Sequence, residues 1–161
     1  MTLRFAAILA AAMIWGTSAQ PSHAHGESDH GGAAHGATST DGAPGKPENA
    51  KRTVRIEATD NAFNVKQIQV RAGETVRFII TNAGFSSHEF SIATPQEHEE
   101  HQAMMRQMPH MKHTDPNVVT LEPGETKELI WRFGKDRNVE FSCNVKGHAE
   151  DGMHGVFRVM Q

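Results

Sequence analysis

From Thr53 onward the chain is written in short runs whose side chains alternate between apolar and polar. "TVRIEA", "VKQIQV" and "ETVRFIITN" come first, then "HEFSIA"; after a break come "NVVTL", "TKELIWRF", "NVEFSC" and "GVFRVM". A period of two turns one face of each run toward a core and the other toward water, a pattern that suits strands and not helices. Turn formers separate the runs: "RAGE" at 71–74, Asn82 with Gly84, and the Pro-Gly pair of "EPGE" at 122–125. Seven or eight short strands divided in this way predict an all-β, antiparallel β-sandwich of roughly 110 residues. The chain has no tyrosine, so the core must draw on Val, Ile, Phe and Trp131.

What precedes the strands has a different texture. Arg4, an apolar run from Phe5 to Trp15 and small residues after it have the form of a secretory signal over residues 1–24, with a cut after Ala19 or Ala24. The apolar run is too short for a stable membrane anchor. The expected product is therefore exported, to the periplasm, without membrane insertion. Residues 25–51, rich in Gly, Ala, Ser, Thr and Pro, show no apolar periodicity and read as a disordered tail. His25, His30 and His35 recur in it at five-residue spacing, a pattern that fits metal binding; a soluble spacer is the plainer reading. With Arg4 removed, 15 basic residues face 19 acidic ones, which argues against nucleic acid or anionic lipid as a partner.

The domain expected over 52–161 is interrupted at 94–116 by "TPQEHEEHQAMMRQMPHMKHTDP". Thr94 as N-cap, Pro95 at the first helical position and Glu97 three residues after the cap form a capping box, and Pro109 marks a stop. This predicts a short helix over about 95–107. The insertion carries His98, His101, Met104, Met105, Met108, His110, Met111 and His113. His98, His101, Met105 and Met108 recur at helical steps and share a face. Thioethers suit Cu(I) and imidazoles accept either oxidation state of copper, so these are candidate accessory metal ligands. The competing reading is a methionine stripe that packs on the sandwich beneath solvated histidines.

Cys143 is the only cysteine. In an exported chain a single thiol is an intermolecular partner, a buried bystander or a ligand. It ends the run "NVEFSC", and the loop before "GVFRVM" holds His148 and Met153. Thiolate, imidazole and thioether on one loop suit copper. Gly147 and Gly152 stand before the histidine and the methionine, where the loop must turn sharply. A trigonal His₂Cys set with a weak axial Met needs one more imidazole, and His88 in "NAGFSSHEF" is the candidate. An inert buried thiol and a strand-edge histidine are the plainer readings; the ordered partners argue against both.

"GETVRFIITNAGFSSHEF" followed by "FSCNVKGHAEDGMHGVFRV" resembles the cupredoxins, copper proteins of the plastocyanin and azurin type. The likeness covers roughly residues 53–161 and rests on an ordered His…Cys-x₄-His-x₄-Met pattern. It implies a Greek-key β-sandwich and makes His88, Cys143, His148 and Met153 the copper ligands. Two departures stand out. Lys146-Gly147 replaces the Pro-Gly often found before the second histidine, and Glu89 follows His88 where electron-transfer members often carry Asn.

Three classes of function compete. An electron carrier needs only the one centre and a docking patch, and would leave the tail and insertion superfluous. A Cu(I)-oxidising enzyme needs an open coordination position, or a second copper together with a route for oxygen, and no second set of copper centres of the multicopper oxidase kind is seen in the sequence. A copper-handling protein needs additional soft sites, which the tail and insertion supply. The combination resembles the periplasmic copper-tolerance cupredoxins, the CopI type. That resemblance implies a non-enzymatic protein whose partners are copper ions and a copper-handling or redox protein, with electron transfer as the second reading.

Overall fold

In the computed structural model, which describes residues 41–108 and 115–161, the alternating runs are strands. In chain order these are β1 (Gly42–Pro44), β2 (Arg52–Thr59), β3 (Ala62–Phe63), β4 (Gln67–Arg71), β5 (Thr75–Asn82) and β6 (His88–Ala93), followed by β7 (Val118–Leu121), β8 (Thr126–Phe133), β9 (Val139–Ser142) and β10 (His154–Met160). One α-helix, α1 (Pro95–Gln107), lies between β6 and β7. Two five-stranded sheets result, in the orders β1-β8-β5-β2-β3 and β4-β10-β9-β6-β7. No helix among the described residues is long and apolar enough to cross a membrane.

The sandwich differs from the sequence reading in three ways. It is not wholly antiparallel: β2 pairs with β5 in parallel, with Ile56 opposite Ile80, and β10 pairs with β4 in parallel, with Phe157 opposite Ile68. Alternation reports which face is buried and carries no information on strand direction. Two short strands, β1 and β3, fall below the length at which alternation can be recognised. Finally, the expected tail over 25–51 includes ordered chain. Gly42 lies opposite Phe133 as β1 pairs with β8, Gly45 N–H donates to Ile130 O at 2.8 Å, and residues Pro47–Asn49 form a 3₁₀ turn. Polar composition hides this because an edge strand is held by backbone hydrogen bonds rather than by its side chains.

The core lies between the sheets. Phe78 and Phe133 of one sheet meet Phe90, Phe141 and Phe157 of the other, with Phe63 at the margin. Phe78 stands 5.7 Å from Phe90 and 5.8 Å from Phe157 between ring centroids, and Phe133 stands 4.7 Å from Phe157. Trp131 closes the same core at 1% exposure. On β10 the alternation is strict: Gly155, Phe157 and Val159 are buried while His154, Arg158 and Met160 are exposed.

β6 breaks that rule, since all six of its residues are buried. Phe90 and Ile92 face the core, and α1 covers the opposite face. Thr94 Oγ1 accepts from Glu97 N–H, and the Glu97 carboxylate accepts from Thr94 N–H at 2.8 Å, so the capping box expected from sequence is present. The helix starts and stops where the sequence places it.

Candidate metal centre

Strand parity aims the central residues. His88, Phe90 and Ile92 form the inward set of β6, and Val139, Phe141 and Cys143 form the inward set of β9 and its end; all six are within 1% of full burial. β6 and β9 are antiparallel neighbours, with Ile92 opposite Phe141. His88 begins the one strand and Cys143 follows the other, so both side chains meet at the same end of the sandwich.

The loop after Cys143 supplies the remaining groups. Its backbone is closed on itself: Met153 N–H donates to His148 O at 2.8 Å, and Cys143 N–H donates to Met153 O at 3.0 Å. Gly147 and Gly152 hold φ of +89° and +99°, a conformation that side-chain-bearing residues rarely adopt, immediately before His148 and Met153. His148 Nδ1 lies 3.2 Å from His88 Nδ1 and 3.4 Å from Cys143 Sγ. The three ligand atoms of His88, Cys143 and His148 lie within 4.8 Å of one another. Such separations are the edges expected of a polyhedron around one ion with bonds of about 2.0–2.3 Å. Met153 is wholly buried, and His154 beside it is exposed.

The electrostatics suit a metal more than a proton. Burial pushes the Cys143 thiol up to about 12, a shift that the neighbouring Glu89 charge reinforces and the N–H of Glu89 opposes. That N–H donates to Sγ at 3.3 Å. Burial holds the His88 imidazole below its usual value, and His148 adds to the effect. A cation softer than H⁺, placed among this thiol and two imidazoles, would take the thiol proton's place. The donor set fits copper.

The helical insertion is divided. His98 and Met105 are buried against the sheet, His101 and Met104 are partly buried, and Met108 is 45% exposed. Both ring nitrogens of His98 face protein groups: Nδ1 is 3.4 Å from Ser91 Oγ and Nε2 is 3.4 Å from Glu140 O. His101 Nε2 lies 3.8 Å from the buried Glu89 carboxylate. The shared face read from the sequence is thus, for His98 and Met105, the packing face. His110, Met111, His113, His25, His30 and His35 lie outside the described residues, as does the expected signal over 1–24.

Sequence reading missed Asp60. Its carboxylate accepts from Phe85 N–H at 3.0 Å and Ser86 N–H at 3.3 Å, bonds that hold it below the usual carboxylate range, and it lies 3.5 Å from His88 Nε2. An Asp-Asn pair between two strands signals a turn; nothing local says that it reaches a residue 28 positions on.

A β-sandwich with an inward His, Cys and His at one end and a buried Met on the same loop is the build of one class of copper protein. The chain belongs to the cupredoxin-like domain family, whose model matches residues 6–127. The match includes His88 but ends before Cys143, His148 and Met153, so the gathering of Cys143 and His148 beside His88 is an observation beyond the matched segment. Over nearly its whole length the chain is similar to proteins named copper-resistant cuproprotein CopI. It is 41% identical over 152 residues to that of Rubrivivax gelatinosus, covering 92% of each chain. To that of Pseudomonas aeruginosa it is 34% identical over 183 residues, covering 96% of this chain and 94% of the relative. Among solved structures, auracyanin from Roseiflexus castenholzii superposes with a TM-score of 0.61 over 70% of this chain and 99% of that one; at 18% identity this is a likeness of fold.

Proposed function

We propose that this protein is a periplasmic copper-binding cupredoxin that acts in copper tolerance by binding, buffering or passing on copper. Its main site would be held by His88, Cys143 and His148, with the Met153 thioether as a fourth, weaker donor. The observation that carries the reading is the convergence of one thiol and two imidazoles within 4.8 Å at a buried end of the sandwich. The names of the relatives add copper resistance. Bound there, copper supplies a one-electron Cu(I)/Cu(II) couple. The chain's own part is to exclude water, fix two imidazoles and give up the Cys143 proton. Because that proton is held tightly in the metal-free protein, copper must displace it, and affinity rises with pH.

Further copper is proposed to bind at His101, Met104 and Met108 of α1, with His110, Met111, His113, His25, His30 and His35. His98 and Met105 face the sheet and are less suited to it. The proposed partners beyond copper ions are a copper-handling or redox protein.

Cu(II) added to the metal-free protein is expected to give strong thiolate-to-copper absorption in the visible, and Cys143→Ser to abolish it. The same bands in Cys143→Ser would sink the assignment. In cells, loss of the protein is expected to lower copper tolerance while respiration continues; blocked electron flow without copper sensitivity would install the electron-carrier reading instead.

A further inference from the structure

We propose that Asp60 is a positioning residue of the copper centre: its carboxylate fixes the tautomer and orientation of His88 from behind and biases bound copper toward the oxidised state. The inference rests on the copper-centre reading above.

His88 is fully buried and has two ends. Nδ1 faces His148 Nδ1 and Cys143, while Nε2 points away from them, 3.5 Å from Asp60 Oδ1. An imidazole that coordinates through Nδ1 carries its proton on Nε2, and a buried N–H requires an acceptor. Asp60 is placed to be that acceptor. The same Oδ1 is anchored by the N–H groups of Phe85 and Ser86, on the segment that leads into His88. Gly84 makes the approach possible: a Cβ there would sit 2.5 Å from Asp60 Oδ1 and 3.0 Å from His88 Nε2.

The turn that carries Asp60 also touches the other ligand segment. Asn61, with φ of +61°, donates from Nδ2 to Asp151 Oδ2 at 3.2 Å, between His148 and Met153 in the chain. One two-residue turn between β2 and β3 therefore holds both segments that bring ligands to the centre.

The electronic consequence follows from charge. A carboxylate behind a ligating imidazole raises its basicity, and a negative charge nearby favours the more highly charged ion. The Asp60 side chain is 47% exposed, so solvent screens its direct Coulombic effect, and a hydrogen bond from Nε2–H of the metal-bound ring, closing the present 3.5 Å contact, would be the stronger route.

The test uses the full chain. The thiolate band of the copper-loaded wild type is read first; its absence would overturn the copper-centre reading itself, before any variant is made. Asp60→Asn keeps an oxygen for the Phe85 and Ser86 N–H groups and removes only the charge. It is expected to leave metal-free thermal unfolding unchanged and to weaken Cu(II) binding relative to Cu(I) by about tenfold, an upward shift of about 59 mV in potential. In the Cu(I) form, the His88 Nε2 proton is expected to exchange slowly in wild type and rapidly in Asp60→Ala. A wild type with the thiolate band, an Asp60→Asn potential equal to it, and an Nε2 proton still protected in Asp60→Ala would overturn the proposal.

Discussion

His88 and His98 are both buried beside β6, yet they are set for opposite work. His88 offers a ring nitrogen to the space it shares with Cys143 and His148; His98 spends both of its nitrogens joining α1 to Ser91 and to Glu140 O. Burial holds the His98 imidazole below the usual 6.5, although Glu140 and Glu97 carboxylates pull the other way. The sign follows from linkage. As pH falls, the unfolded chain takes up this proton first, so the stability His98 supplies is complete above about 6.5 and is lost as pH drops below it. The protection of amides over 95–107 in the metal-free protein, measured relative to their intrinsic exchange rate at each pH, is therefore expected to fall in mild acid. His98→Gln, which cannot titrate, should flatten that profile; an identical profile in the variant would refute the assignment.

At the scale of elements, α1 explains why the outer face of β6 carries Glu89 and Ser91 but is buried. The helix roofs a polar layer instead of a second apolar one, and Asn144 Nδ2 donates to Ser91 Oγ at 2.8 Å within that layer. β1, of sequence Gly-Ala-Pro, has little side chain to pack. It pairs with the edge of β8, and Asp41 O accepts from Gly134 N–H at 2.9 Å beyond it. Deleting residues 25–40 is expected to leave thermal unfolding unchanged. Deleting 25–50 removes β1, exposes the β8 edge and should lower the midpoint by several degrees, about 4–8 °C for each kcal/mol lost. Equal midpoints for the two deletions would show that β1 contributes nothing to the sandwich.

For the whole molecule, copper and folding are linked. The proposed main site is built from groups that the folded chain brings together, so binding stabilises the fold by mass action, about 2.7 kcal/mol at a free copper concentration one hundred times Kd. Stoichiometry separates the main site from the rest. Saturated full-length protein is expected to bind more than one copper per chain. Removing residues 25–40 and replacing His101, Met104, Met108, His110, Met111 and His113 should reduce this to one with the visible spectrum unchanged. His98 and Met105 are left in place because they pack the helix. A single copper in the unaltered protein would remove the accessory sites from the proposal.

The sequence alone determined the sandwich, the helical insertion and the order of the four proposed ligands, because each is written in local pattern. Period-two alternation marks the faces, Thr94 and Glu97 mark a helix start, and Cys143, His148 and Met153 share one loop. The tertiary structure decided what depends on neighbours distant in sequence. Strand direction in the β2–β5 and β4–β10 pairs, the capture of β1 from an apparently featureless tail and the burial of His98 against the sheet are all of this kind. Asp60 shows the reason most plainly. A carboxylate in a polar turn resembles any surface residue until the fold carries that turn to within 3.5 Å of His88 Nε2, and no periodicity encodes such an approach.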